Sequence, residues 1–279
     1  MAVRSFTVIP GMGPTLGFTL LYLGLIVLLP LSALVIYSFT HLSLSEFWAV
    51  VTEPRVLASY RLSFSAAFIA ATLNTLFGVL LAWVLVRYEF PGKKLVDALV
   101  DLPFAMPTAV SGIALTAVFA GNGVIGHLLE PHGVKLTFNP TGIVIALVFI
   151  GLPFVVRTLQ PVLREHEAML EEAASCLGAT RAQTFIRVIF PALLPAIITG
   201  FTLAFARAIG EYGSVIFIAG NIPMVSEIAP LMIMSHLEEY DYAGASAIAV
   251  VMLGVSFILL LLINQLHAWS RKGIKEDRL

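Results

Sequence analysis

The side chains able to do chemistry are few and scattered. His166-Glu167 opens like a two-histidine zinc protease motif, but position 170 is leucine, so the second metal ligand is missing. No Gly-x-Ser-x-Gly elbow is present to activate a serine nucleophile. No Gly-x4-Gly-Lys-Ser/Thr loop is present to cradle a nucleotide's phosphates. The single cysteine, Cys176, excludes an intrachain disulfide and reads as filler in a turn. Asp97 and Asp101 lie four apart, on one helical face, at the entry of an apolar run. There they serve to orient a helix start, where negative charge is favoured, not as an acid–base pair. No catalytic residue and no metal site is assigned.

One pair stands out. Arg207 and Glu211 sit inside the apolar run 193–219, in Ala206-Arg207-Ala-Ile-Gly210-Glu211-Tyr-Gly213. Arg207 is 12 to 14 residues from either end of that run, near mid-depth at roughly 1.5 Å per residue. A lone arginine there costs at least about 2.5–3.5 kcal/mol, and a glutamate four residues on can neutralise it. Two roles stay open: a self-satisfied pair that fixes helix packing, or a gate element in which Arg207 briefly meets an anion.

These residues need a scaffold, and composition names its class. The chain has 279 residues, 59% hydrophobic and 12% charged, with a net charge of -1. That charged fraction is about half of a soluble domain's, and no basic field exists to hold a nucleic acid. The expectation is an all-α polytopic membrane protein, a single transmembrane domain over 1–279. Its six spans fall at about 15–38, 62–86, 98–120, 142–162, 193–219 and 243–266. Each run is long and apolar all round, and strands would need alternating polarity. The first run is too long for a signal peptide's apolar core and lacks a small-x-small cleavage site, so it is read as an uncleaved helix.

Basic residues set the topology. Arg4, Arg87, Lys93, Lys94, Arg157, Arg164, Arg181, Arg187, Arg271, Lys272, Lys275 and Arg278 flank one side; Arg55, Arg61 and Lys135 flank the other. Both termini are therefore expected in the cytoplasm. The outer loops are acidic, with Glu46, Glu53, Glu130, Glu227, Glu238, Glu239 and Asp241. Pro103 and Pro107 should kink the third span, while Gly151, Pro153, Pro191, Pro195, Gly210 and Gly213 mark the fourth and fifth. They fit either ordinary helix packing or hinges in a moving bundle.

The cytoplasmic loop at about 163–191 reads as two short helices with a turn at Gly178, which supplies a left-handed conformation. Thr180 and Gln183 have capping-box spacing for the second helix. There Ala182, Phe185, Ile186 and Ile189 share one face, with Arg181 and Arg187 off it. Such a hairpin either rests on the lipid surface or docks a cytoplasmic partner.

The motif in this loop is more specific. Glu172-Ala173-Ala174, three residues, Gly178, nine residues and Val188-Ile-Phe-Pro191 resemble the EAA loop of binding-protein-dependent ABC import permeases. Phe190 stands where that family commonly has leucine. The resemblance implies a type I importer permease bundle with a cytoplasmic coupling helix. Glu172, Ala173, Ala174, Gly178 and Pro191 would then carry the contact with an ATP-hydrolysing subunit.

Further segments look like the T-type permeases of sulfate/thiosulfate importers. They are Asp101-Leu-Pro-Phe-Ala-Met-Pro-Thr-Ala-Val-Ser-Gly112, Leu152–Val162, Arg207–Gly213 and Val215–Asn221. The Arg-x-x-Gly-Glu-aromatic-Gly segment is shared with molybdate permeases, so a molybdate or tungstate permease is the alternative. The resemblance implies a second related permease chain, two ATP-binding subunits and an extracytoplasmic sulfate-binding protein. It places the assembly in a bacterial inner membrane, with no cofactor on this chain and ATP/Mg on the partner ATPase. Energetics agree: bringing a dianion in against about 100 mV costs about 4.6 kcal/mol, and no proton relay is evident. An enzyme and an ion-coupled carrier are the disfavoured rivals.

Overall fold

The structure, a computed structural model, describes residues 12–165 and 168–276. His166 and Glu167 lie outside the described residues. Among the described residues, five helices are long and apolar enough to cross a membrane: α1 (Gly13–His41), α3 (Pro54–Arg87), α7 (Pro140–Glu165), α9 (Arg181–Ile209) and α12 (Tyr242–Glu276, apolar to Gln265). Shorter helices join them: α2 (Leu44–Val51), α4 (Lys93–Val100), α5 (Leu102–Ala105), α6 (Thr108–Phe119), α8 (Ala168–Cys176), α10 (Val215–Ala219) and α11 (Ala229–Glu238).

Helices α3, α7 and α9 form the centre. Their close approach rests on small residues, as expected where lipid removes the hydrophobic drive between helices. Ala66, Ala67, Ala70, Ala71, Gly78 and Ala82 line the buried stripe of α3. A Cβ at Gly78 would lie 2.8 Å from Val155 Cγ1, and one at Gly151 would lie 2.3 Å from Asn74 Nδ2. Helix α12 packs on the outside of this core, and α1 rests on α12 with most of its surface exposed.

Two expected spans are not single helices. The run 98–120 is divided into α4, α5 and α6. Pro107 disfavours the helical conformation for its predecessor, and Met106 is extended at φ -91, ψ 135. The prolines therefore break the helix and do not merely kink it. Helix α6 has 12 residues, about 18 Å at 1.5 Å each, well short of a bilayer core. The run 193–219 stops at Ile209, turns through Gly210–Ser214, and resumes as α10.

Prolines elsewhere are absorbed. Pro30 and Pro191 lie inside long helices, each just after a widened five-residue turn, Gly24–Leu28 and Phe185–Ile189. The N–H of Leu29 reaches Gly24 O, and that of Phe190 reaches Phe185 O. The wider turn moves the carbonyl that a proline ring would strike and leaves the helix continuous. As a result the second hairpin helix is not separate from the fifth run. It is the first part of α9, and its expected apolar face is split: Ile189 is buried while Phe185 and Ile186 are exposed.

Candidate functional site

The hairpin around Gly178 is closed by backbone geometry. Gly178 has φ +81, and no atom lies within 4 Å of a Cβ built on it. Conformation alone, not space, asks for glycine here. The Ala179 N–H donates to Ala174 O at 3.0 Å and the Gly178 N–H to Ser175 O at 3.0 Å, which satisfies the last carbonyls of α8. The next helix opens with the expected box: the Gln183 N–H donates to Thr180 Oγ1, and the Thr180 N–H to Gln183 Oε1. Leu177 stands at the tip, 88% exposed, with Glu172 and Ala173 also exposed. Cys176 is exposed too, so it does not fill the turn as the sequence suggests. Pro191 is half-buried, 13 residues beyond Gly178 in α9.

An ion pair that spacing cannot reveal ties the hairpin to the bundle. Arg87, at the last turn of α3, bonds Glu171 of α8. Its guanidinium also lies over the Trp83 ring, 5.2 Å from the centroid. Trp83 meets Phe185 edge-on at 5.8 Å. In sequence Arg87 is only a topology signal, and its partner is 84 residues away.

Arg157 of α7 has all five donors occupied. Nε and Nη2 donate to the two Asp101 oxygens at 2.7 and 2.6 Å. Nη1 donates to Asp97 Oδ1 at 2.7 Å and Gln160 Oε1 at 2.5 Å, and Nη2 also donates to the Asp97 carbonyl at 2.7 Å. This corrects the reading of Asp97 and Asp101 as orienters of a helix start. Neither caps a helix with its side chain; they clamp α4 and α5 onto α7. Hydrogen bonds from Gln160 and Arg157 hold the Asp97 carboxyl below its ordinary value.

Arg207 and Glu211 do meet, with Nη1 to Oε2 at 2.6 Å. Their setting differs from the expected mid-helix face. Arg207 occupies the last turn of α9, where a cation suits the helix dipole. Glu211 lies beyond the helix end and reaches its partner through the turn at Gly210. Glu211 is 2% exposed; its Oε1 accepts from the Ser214 N–H and O–H, both at 2.9 Å. The Arg207 side chain is 32% exposed and has no second partner among the described residues. The turn nests against α6: a Cβ at Gly112 would sit 2.4 Å from Ser214 O, and one at Gly213 would sit 2.2 Å from Thr108 Oγ1. The breaks in the third and fifth runs thus pack on each other.

On the opposite end Arg55 donates to both Glu227 oxygens at 2.8 Å, and Glu227 is buried. Glu227 therefore belongs to an internal pair and not to an acidic outer surface. Glu238 and Glu239 are exposed. Asp241 accepts from the Gly244 N–H at 2.9 Å and pairs with His236 Nδ1 at 2.8 Å. Partial burial raises its pKa, but the Gly244 and His236 contacts outweigh that and leave the pKa below its ordinary value.

Residues 74–276 match the family described as binding-protein-dependent transport system inner membrane component. The chain is 50% identical over 268 residues to the sulfate transport system permease protein CysT of Salmonella typhimurium, covering 96% of each chain. It is 51% identical over 254 residues to the protein of that name from Synechocystis, covering 91% of this chain and 88% of the relative. A probable sulfate transport system permease protein of Nephroselmis olivacea is 50% identical over 256 residues, covering 92% and 90%.

Among solved structures, a bacterial ABC transporter involved in import of the acidic polysaccharide alginate superposes with TM-score 0.76 at 15% identity, covering 91% of this chain and 94% of that one. An inward-facing methionine ABC transporter superposes with TM-score 0.58 at 18% identity, covering 82% and 99%. At such identities the likeness shows the fold alone, and that fold is the expected all-helical importer permease. With a family match over most of its length and relatives at half identity end to end, the chain belongs to the binding-protein-dependent transport system inner membrane components.

Proposed function

We propose that this chain is the membrane-spanning permease subunit of an ATP-driven importer that brings sulfate or thiosulfate into the cytoplasm. The observation that carries the reading is half identity, over nearly the whole chain, to proteins named sulfate transport system permeases. The chain acts as one domain beside a second related permease. Two ATP-binding subunits supply ATP/Mg chemistry, and an extracytoplasmic binding protein delivers the anion. Both termini are cytoplasmic. The third crossing, about 98–120, is made by the broken series from the end of α4 through α5 and α6, which brings the number of spans to six.

The hairpin at Glu172, Ala173, Ala174 and Gly178 is the contact with the ATP-binding subunit, and Pro191 closes it where the widened turn at Phe185–Ile189 lets its second arm run on through α9. An exposed tip, closed by its own backbone bonds, supports this role, because a partner can grip it without unfolding it. Arg207 and Glu211 act as a clamp on the break after α9. Support comes from Glu211, which is buried and already engaged by Ser214 and so is not free to release its partner.

The test is uptake of labelled sulfate into cells lacking their own sulfate permease and supplied with this chain and its partner subunits. Excess sulfate and thiosulfate should compete and molybdate should not. Absence of labelled sulfate uptake alongside uptake of labelled molybdate would assign the chain to molybdate transport.

A further inference from the structure

A cavity of about 520 Å³ opens where α3 leaves the bundle beside the Gly178 hairpin. Its walls are Val79, Leu80 and Trp83 from α3, with Phe185 and Ile189 from α9. Arg181 stands on its lining beside Glu171 of α8. The lining is apolar, yet the cavity lies beside the basic ends of two long apolar helices, Arg87 of α3 and Arg181 of α9, and such flanking cations mark where a spanning helix leaves a membrane. Its apolar wall does not end at the mouth. Leu76, Phe77 and Leu80 are all exposed and continue it along α3 toward the bilayer interior.

The charges at the mouth are not equivalent. Arg87 is neutralised by Glu171 and covered by Trp83. The hydroxyls of Ser175 and Thr184 are spent on carbonyls of their own helices. Arg181 is exposed, with no ion pair or side-chain hydrogen bond among the described residues. The site therefore offers a long apolar slot open to the membrane with one available guanidinium at the water end. That is the complement of a phospholipid: an acyl chain along Leu76, Leu80 and Trp83, and a phosphate-bearing headgroup at Arg181.

We propose that an anionic phospholipid occupies this cavity, with its chain between α3 and α9 and its headgroup on Arg181. The lipid would wedge the two walls that meet through the Trp83–Phe185 contact, and so would sit directly against the hairpin.

The experiment uses the assembled transporter in nanodiscs doped with phosphatidylglycerol or phosphatidylcholine bearing a photoactivatable acyl chain, with labelled peptides mapped by mass spectrometry. Labelling should fall on residues 76–84 and 181–190, and phosphatidylglycerol should exceed phosphatidylcholine about fivefold, the effect of one cation near an anionic headgroup. Arg181→Gln should abolish that preference and Arg181→Lys should keep it. The side chain is exposed and unpaired, so neither change threatens folding. Equal labelling by the two lipids, or a preference that survives Arg181→Gln, would overturn the proposal. Absence of label from both segments would overturn it as well, and would mean that a protein subunit covers the slot. Loss of the preference in millimolar inorganic phosphate, with chain labelling unchanged, would also overturn it, by assigning Arg181 to free anions.

Discussion

Glu211 shows what a buried carboxylate does at a helix break. It accepts from Ser214 twice and faces Arg207, so its removal leaves three donors without an acceptor. Breaking such a pair costs about 3–5 kcal/mol. Glu211→Ala should therefore lower the thermal unfolding midpoint of the purified complex sharply. Glu211→Gln, which keeps an acceptor for Ser214, should lower it less. Equal loss in the two variants would show that charge, not the Ser214 bonds, matters there. Asp97 gives a pH signature. Its carboxyl is held below the ordinary 3.8, so its contribution is fully present above that value and is lost as pH falls through the lower folded value. The stability difference between the parent and Asp97→Asn should be constant from pH 8 to 5 and should shrink below about pH 4. A difference that already shrinks near neutrality would point to another group.

At the scale of elements, most prolines leave their helix continuous, Pro153 and Pro161 in α7 without any widened turn before them, and the third run breaks at Pro107. Met106 before Pro107 is extended, whereas Pro191 follows a wide turn and α9 runs on. By this continuity one helix, α9, runs from the second arm of the hairpin to the turn that holds Glu211, and on the proposed function that would make the hairpin a lever. The turn at Gly178 is the arm's other end. An alanine there meets no atom but must hold φ +81, a cost of about 1–2 kcal/mol. Transport should fall in the order glycine, asparagine, alanine, valine, since asparagine tolerates the left-handed region best of the substitutes. Uptake measured at equal membrane abundance checks this ordering, and a valine variant as active as the parent would remove the turn's importance.

For the whole molecule, charge is divided between internal ties and an outer face. Arg55–Glu227, Arg87–Glu171 and the Arg157 cluster each join segments at least 56 residues apart. Glu238 and Glu239 remain exposed, while Asp241 serves its own turn. An acidic face repels free sulfate and suits a docked carrier better. Reversing Glu238 and Glu239 to lysine should weaken stimulation of ATP hydrolysis by the loaded binding protein severalfold, leaving basal hydrolysis intact. Reversing Asp241 as well would confuse docking with local disruption, because Gly244 and His236 depend on it.

The sequence by itself determined what rests on spacing within a turn or two: apolar runs long enough to be helices, the glycine turn at 178, the Thr180–Gln183 cap, and the proximity of Arg207 to Glu211. It also carried the family motif. Only the tertiary structure decided where the third and fifth runs break, that the hairpin's second arm is continuous with α9, and which charges pair. Pro153 and Pro161 leave α7 unbroken while Pro107 ends a helix, so a proline's effect depends on what packs around it and not on its presence in the run. A guanidinium's partners are chosen by docking, so Asp97 and Asp101 look like helix-start residues until α7 brings Arg157 alongside. Local free energies are legible along a chain; those of long-range pairs exist only once the helices have met.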